Sequence, residues 1–393
     1  MMAFSHRLPT DLTPNAIARR RAAGAPPFDL TPTNPTECGI DYPRELLRPL
    51  AHAAALRYRP DPRGLEPARE AVAADYARHG VVVDPGRVVL TASTSEAYSL
   101  LFKLLCDPGD AVLVPHPSYP LFEHLARLDG LRPVPYRLHA EAGWQPDAHE
   151  LDAAAARAVL AVHPNNPTGS LLDEASVTAL AASCRAHGRA LIADEVFLDY
   201  PLDPRRRPAT LAGRADLPGF VLGGLSKSVG LPQLKLGWIV VGGEPAFARE
   251  ALERLEFIAD QYLSVATPVQ LALPELLAAG AVVRERILAR CRLNLGALRA
   301  ALAAAGGVSL VEPEGGWSAV LRYPVVAAEE AFVLELLERD GVGVHPGTVF
   351  GFPAEGYLVL SLLVDPQRFA AGVARLLAAV RRKAGDPTGG RPA

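Results

Sequence analysis

A series of short apolar runs constrains this chain more than anything else in it: residues 88–91, 111–114, 159–163, 190–193, 220–222 and 236–241. Each is continuous in its apolar character rather than alternating, which is how a strand reads when both of its faces are covered. Between them lie stretches with helical spacing, at 95–106, 120–128 and 173–187, the last closed by Gly188. Continuous strands separated by helices predict an α/β fold in which a mostly parallel central sheet is covered on both sides.

The flanks follow other patterns. Residues 1–44, rich in Pro and Thr, read as an extended arm, and 43–57 and 65–78 read as helices. Long helices are expected at 245–262 and at 281–305, the second crossing between domains. After Gly306-Gly307, strands at 308–311, 317–322 and 357–363 alternate with helices at 329–339 and 366–382, an α+β pattern. At 393 residues the chain exceeds one ordinary core. The expected division is an arm (1–44) belonging to a small domain, a large domain (45–280), the rest of the small domain (281–383) and a flexible tail (384–393).

Bulk properties exclude several function classes. Apolar content of 49% with 21% charged residues describes a globular chain, and a net charge of -3 gives nucleic acid or an anionic membrane no purchase. The basic triplets Arg19-Arg20-Arg21 and Arg205-Arg206-Arg207 read as solvated faces. Cys38, Cys106, Cys184 and Cys291 are far apart and lack metal-ligand spacing, so no metal site is expected and the thiols read as free. No stretch approaches the about twenty apolar residues of a membrane span. A cytoplasmic location is the expectation.

Polar residues gather where the apolar runs end, and in open parallel sheets ligands bind beyond the carboxyl ends of strands. Thr94 and Ser95 open a helix after one run; there, N-capping and anion binding are both ordinary roles. Tyr119 follows another, as a packing residue or as a surface for a flat ring. Asn165 and Asn166 place two amides in a turn. Asp194 ends 190–193, where a carboxylate needs a cationic or donor partner, whether a salt bridge, a cap or a protonated ring nitrogen. Lys227, in Gly223-Gly224-Leu225-Ser226-Lys227-Ser228, is either a surface turn or a reactive amine, and Lys235 either a surface lysine or a counter-charge for an anion. Together they form the set a Schiff-base site for pyridoxal phosphate requires.

From about residue 34 to 363 the chain resembles the class I/II aminotransferases of fold type I. The likeness rests on Asn165-Asn166-Pro167-Thr168-Gly169, then Asp194-Glu195, then Ser226-Lys227 with Gly230-Leu231-Pro232 ahead of Leu236-Gly237-Trp238. It implies pyridoxal 5'-phosphate as cofactor, an amino donor and a keto acid as substrates, and a large and a small domain. By the same likeness Lys227 forms the Schiff base, Asp194 pairs the pyridine nitrogen, Asn166 donates to the ring oxygen, Tyr119 stacks on the ring, and Thr94 and Ser95 hold the phosphate. Tyr58 would reach the phosphate of a second subunit, implying a homodimer. Asn34 and Trp317 would lie near the substrate.

The departures from that pattern carry information. Phe197 stands where a tyrosine is common, Lys235 where an arginine binds phosphate, and Gly224 where Ser or Thr is frequent. Val359 stands at the position of the arginine that clamps a substrate carboxylate. Either Arg322 or His345 supplies that charge, or the substrate is not an ordinary α-amino acid. Other chemistry open to the same scaffold is a lyase or decarboxylase, or ligand binding without turnover in a regulator.

Overall fold

In the computed structural model, which describes residues 4–153, 155–206, 208–325 and 327–384, the apolar runs become neighbouring strands. In chain order the elements are α1 (Ala16–Ala22), β1 (Phe28–Asp29), α2 (Glu66–Tyr76), β2 (Val88–Thr91), α3 (Thr94–Leu105), β3 (Ala111–His116), α4 (Leu121–Leu128), β4 (Arg132–His139) and β5 (Gln145–Pro146). Next come α5 (Ala148–Ala153), β6 (Ala158–Val162), α6 (Glu174–His187), β7 (Ala190–Asp194), β8 (Gly219–Gly224), α7 (Leu225–Ser228), β9 (Gly237–Val241), α8 (Pro245–Asp260) and α9 (Thr267–Ala303). Last are β10 (Ser309–Val311), β11 (Ser318–Arg322), α10 (Glu329–Glu335), β12 (Val342–Gly343), β13 (His345–Pro346), β14 (Tyr357–Ser361) and α11 (Pro366–Lys383).

Among the described residues an eight-stranded sheet runs β2-β9-β8-β7-β6-β3-β4-β5. Strands β8, β7, β6, β3 and β4 are parallel, β9 is antiparallel to both neighbours, and β5 is antiparallel to β4. Every residue of β2, β6, β7, β8 and β9 is buried. The continuous apolar pattern has a direct cause, since successive side chains of a strand point to opposite faces. In β6, Val159 and Ala161 enter the core on one face while Ala158, Leu160 and Val162 enter the core on the other.

A second sheet, β10-β11-β14-β13, is antiparallel throughout, and β1 from the N-terminal arm pairs in parallel with β12. The buried Glu329 at the start of α10 fastens this region by accepting backbone N–H bonds from Thr348 (2.8 Å), Gly356 (2.9 Å) and Tyr357 (3.0 Å). Cys38, Cys184 and Cys291 are buried and free, and Cys106 is half-buried and free. Among the described residues no helix is long and apolar enough to cross a membrane.

Several expectations change. The stretch 43–57 is not one helix but two 3-10 turns, Arg44–Ala51 and Ala53–Leu56. Pro49 removes a donor there, and His52 is extended at their junction. The arm is not extended throughout: α1 forms, N-capped by the Asn15 side chain, which accepts from Ala18 N–H at 2.8 Å. Arg21 on α1 is not simply solvated, for it bonds Asp29 and Thr31. Strand β4 was hidden by Pro133 and Pro135; it tolerates them because it pairs fully only with β3. The helix expected at 281–305 begins earlier, as α9. Arg207 and, from residue 385, the expected tail lie outside the described residues.

Candidate active site

Strands β7 and β8 lie side by side and parallel, with Asp194 paired in register to Leu222. Asp194 therefore ends its strand beside the segment that carries the chain into α7, the single turn bearing Lys227. Both residues line a cavity of about 530 Å³, within the range of small-molecule and cofactor sites.

Asp194 is 6% exposed. Its Oδ2 accepts from Tyr98 Oη at 2.9 Å and its Oδ1 from Val196 N–H at 3.1 Å. Burial raises its pKa, against the lowering influence of these bonds and of the Lys227 charge. Burial likewise pushes the Lys227 amine down, and Asp194 opposes that shift. The Lys227 Nζ lies 4.9 Å from the centre of the Trp317 ring and 5.7 Å from that of Phe197. Tyr200 Oη bonds the Lys227 carbonyl, holding the turn. A lysine whose nitrogen faces aromatic rings and a buried carboxylate is no surface turn. It has the surroundings of an activated amine.

The N-terminus of α3 forms another wall. Ser93 is the cap: its Oγ accepts from Glu96 N–H at 3.1 Å, and Glu96 Oε2 accepts from Ala92 N–H at 2.6 Å. The cap bond occupies the Ser93 hydroxyl, and Ser93, Thr94 and Ser95 all line the cavity. Space is kept here by glycine. A Cβ on Gly237 would sit 3.1 Å from Ser93 C and Thr94 N, and one on Gly224 would sit 3.1 Å from Gly237 Cα. Lys235, exposed and in a left-handed conformation (φ 51°), lines the cavity as well. First-turn N–H groups, two hydroxyls and an ammonium make a cradle suited to an anion such as a phosphate.

The two asparagines divide their roles. Asn165 is buried; its Nδ2 donates to Pro117 O (3.0 Å) and Thr168 Oγ1 (2.8 Å), and its Oδ1 accepts from Ser118 Oγ (2.9 Å). It holds the loop. Asn166 lines the cavity, its Oδ1 accepting from Ser318 Oγ at 3.3 Å. Tyr119 is 44% exposed and meets Phe122 edge-on at 6.1 Å, leaving a face available for a flat ligand. Phe197 packs edge-on against Trp317 at 5.4 Å.

The structure thus brings together Thr94, Ser95, Tyr119, Asn166, Asp194, Phe197, Lys227, Lys235, Trp317 and His345. It does not bring Arg322 there. Arg322 ends β11 at an exposed position and lines a different hollow, with Glu314 and Trp144. Nor does Asn34 line the cavity; its side chain turns back to accept from Thr36 N–H and Oγ1. Tyr58 is 75% exposed, in a surface groove with Tyr262 and Leu263. Sequence reading missed Thr31 and Thr33, which reach the cavity from the arm, and Ser318 and Ser361 from the small sheet. Nothing periodic marks the arm residues. Ser318 and Ser361 could have been found from their places at strand termini beside Trp317 and Val359.

A family model described as aminotransferase class I and II matches residues 32–376. The chain belongs to that family. Its relatives include an arginine–pyruvate transaminase of Pseudomonas aeruginosa, 32% identical over 377 residues (91% of this chain, 89% of that protein). An alanine aminotransferase of Mycobacterium tuberculosis is 29% identical over 384 residues (91% and 86%). The solved alanine aminotransferase of Pyrococcus furiosus superposes with a TM-score of 0.81 at 24% identity, covering 93% of this chain and 94% of that one, and so shares the fold. With this membership the chain is an enzyme of the transaminase class, and the α/β architecture expected from its strands is that of the family.

Proposed function

We propose that the aminotransferase works with pyridoxal 5'-phosphate, carried covalently on the ε-amine of Lys227. The observation that supports this reading most is the placement of Asp194 at the end of β7 and of Lys227 in the turn that follows the adjacent parallel strand β8, both lining one cavity with the α3 N-terminus. When bound, the cofactor supplies an electron sink for the carbon from which the amino group departs.

Each residue then has a definite task. Asp194, fixed by Tyr98 and Val196, presents a carboxylate to the proton on the ring nitrogen. Thr94, Ser95, Lys235 and the α3 N–H groups balance the phosphate charge. Tyr119 would cover one face of the ring, and the Asn166 amide would donate to the ring oxygen, a bond that Phe197 has no hydroxyl to supplement. Lys227 Nζ, its pKa lowered by burial, takes the proton from the donor's amine-bearing carbon and returns it during transfer to the acceptor. Trp317 and Phe197 exclude water around that nitrogen.

Assembly and placement belong to the same proposal: a homodimer, acting in the cytoplasm, with a large domain at 45–280 and a small one made of the arm (1–44) and 281–383. Leu56 and Tyr58, 92% and 75% exposed in a single chain, supply an apolar surface for a second copy, and Tyr58 would complete that copy's phosphate site. The test is spectroscopic. Purified protein supplied with pyridoxal 5'-phosphate should gain a visible absorbance band, and borohydride should fix the label on Lys227. Colourless protein, or a label on another lysine, would overturn the reading.

A further inference from the structure

The cavity is poor in positive charge. Among the described residues its positively charged lining consists of Lys227 and Lys235. Both are engaged in the reading given above, on which this inference rests: the first as the reacting amine, the second at the phosphate cradle. The lining also includes the apolar Val349, Phe350, Val359 and Leu360 and the hydroxyls of Thr31, Thr33, Ser318 and Ser361. Val359 is 2% exposed, and it pairs across the sheet with Val320 on one side and His345 on the other.

Neither sequence candidate restores the missing charge. Arg322 lies on another surface. Burial and the nearby Arg21 charge push the His345 pKa below its ordinary value, against the influence of Asp29, a shift that disfavours the charged imidazolium. Arg21 is not among the residues lining the cavity: its Nη2 donates to Asp29 Oδ2 at 2.7 Å and to Thr31 Oγ1 at 2.8 Å, while its buried Nη1 has no hydrogen-bond partner among the described residues. A carboxylate on the reacting carbon would lose its water against valine and phenylalanine and gain no ion pair, an unfavourable exchange. A methyl or methylene group there would gain by burial, and a hydroxyl could donate to Ser318 Oγ, whose own proton goes to Asn166, or accept from Ser361 Oγ, which itself accepts from Leu363 N–H.

We propose that the substrates of this aminotransferase carry no carboxylate on the reacting carbon: the donor is a neutral-sided primary amine or amino alcohol, and the acceptor the corresponding kind of aldehyde or ketone. The transfer balances. The donor's C–N bond is replaced by a C=O whose oxygen comes from water, and that carbon loses two electrons. The acceptor's C=O becomes a C–N bond with those two electrons and its oxygen leaves as water.

The test compares matched donors on the cofactor-loaded protein: L-alanine against L-alaninol, and L-phenylalanine against L-phenylalaninol and 2-phenylethylamine. The readout is the rate at which the bound cofactor loses its visible absorbance. The uncharged donors are expected to react at least about tenfold faster than the matching acids, a ratio equivalent to one missing ion pair. Val359→Arg should move that ratio at least about tenfold toward the acids, with retained absorbance reporting that the variant is folded; the ratio in the parent protein stands without it. Faster reaction of the amino acids, or reaction of neither class, overturns the substrate proposal while the Lys227 label stays in place. Loss of the label or of the absorbance in the parent protein instead overturns the cofactor reading.

Discussion

At the end of the cavity holding Asp194 and Lys227, the polar groups come from the carboxyl ends of strands in one eight-stranded sheet and from the helix that follows β2. The end holding Val359 is assembled from the arm, β11, β13 and β14, parts far apart in the chain. The first end is crowded with charge and tied by hydrogen bonds (Tyr98 and Val196 on Asp194, Glu96 on Ala92). The second is mostly apolar, with hydroxyls as its polar groups. The difference separates two tasks. On the function proposed above, the sheet end would fix the chemistry and the composite end would choose what undergoes it.

Substitutions can break or sharpen this contrast. The largest effect is expected at Lys227→Ala, which should slow the half-reaction by at least about a thousandfold, the size of a lost general base. Single-turnover absorbance measures it, and a loss under tenfold would remove Lys227 from the chemistry. Next is Asp194→Asn, which preserves shape and one accepted bond, turns its amide nitrogen toward the other partner and removes the charge; a fall of about a hundredfold in transfer rate is expected. Gly237→Ala should press on Ser93 and Thr94 and weaken cofactor affinity about tenfold by titration of the cofactor-free protein.

A pH test reaches the residue next to Asp194. Burial pushes the Glu195 carboxyl up to about 8, against bonds from Thr210 Oγ1 and Leu211 N–H. The folded state thus holds a proton that the unfolded chain releases near its ordinary 4.5. Stability from this group accordingly falls as pH rises from about 4.5 to about 8. Glu195→Gln, which can accept from Leu211 and donate to Thr210, should gain in melting temperature over the parent as pH rises through that window. A difference that does not change with pH would exclude a protonated Glu195. The smallest effect belongs to Arg322→Ala, where activity should stay within about twofold, as for surface positions in general. A larger loss would return Arg322 to the substrate end.

The same contrast decides what was legible in the sequence. Strands such as β6 and β7 bury both faces, so their residues are apolar without interruption and any polar residue at their ends stands out. Asp194, Asn166 and Lys227 were visible for that reason. Thr31 and Thr33 were not, because β1 is short and its neighbour β12 lies more than three hundred residues away, at Val342. Pro133 and Pro135 masked β4, whose place beside the short β5 only tertiary structure reveals. Asn34 and Arg322 show the limit of reading by position alone: one turns inward on its own loop and the other faces a separate hollow. Val359 is the informative exception, since the absence of a charge there is as plain in the sequence as in the fold.

Because Asp194 ends β7 and Lys227 sits in the single turn that follows its neighbour β8, the segments that carry them are anchored by the backbone spacing of the two strands. A lineage can therefore recut the wall around Val349 and Val359 repeatedly without retuning its reactive centre. New diets for such an enzyme would arise by drift in the strands that face the guest, while the machinery that handles it is passed down untouched.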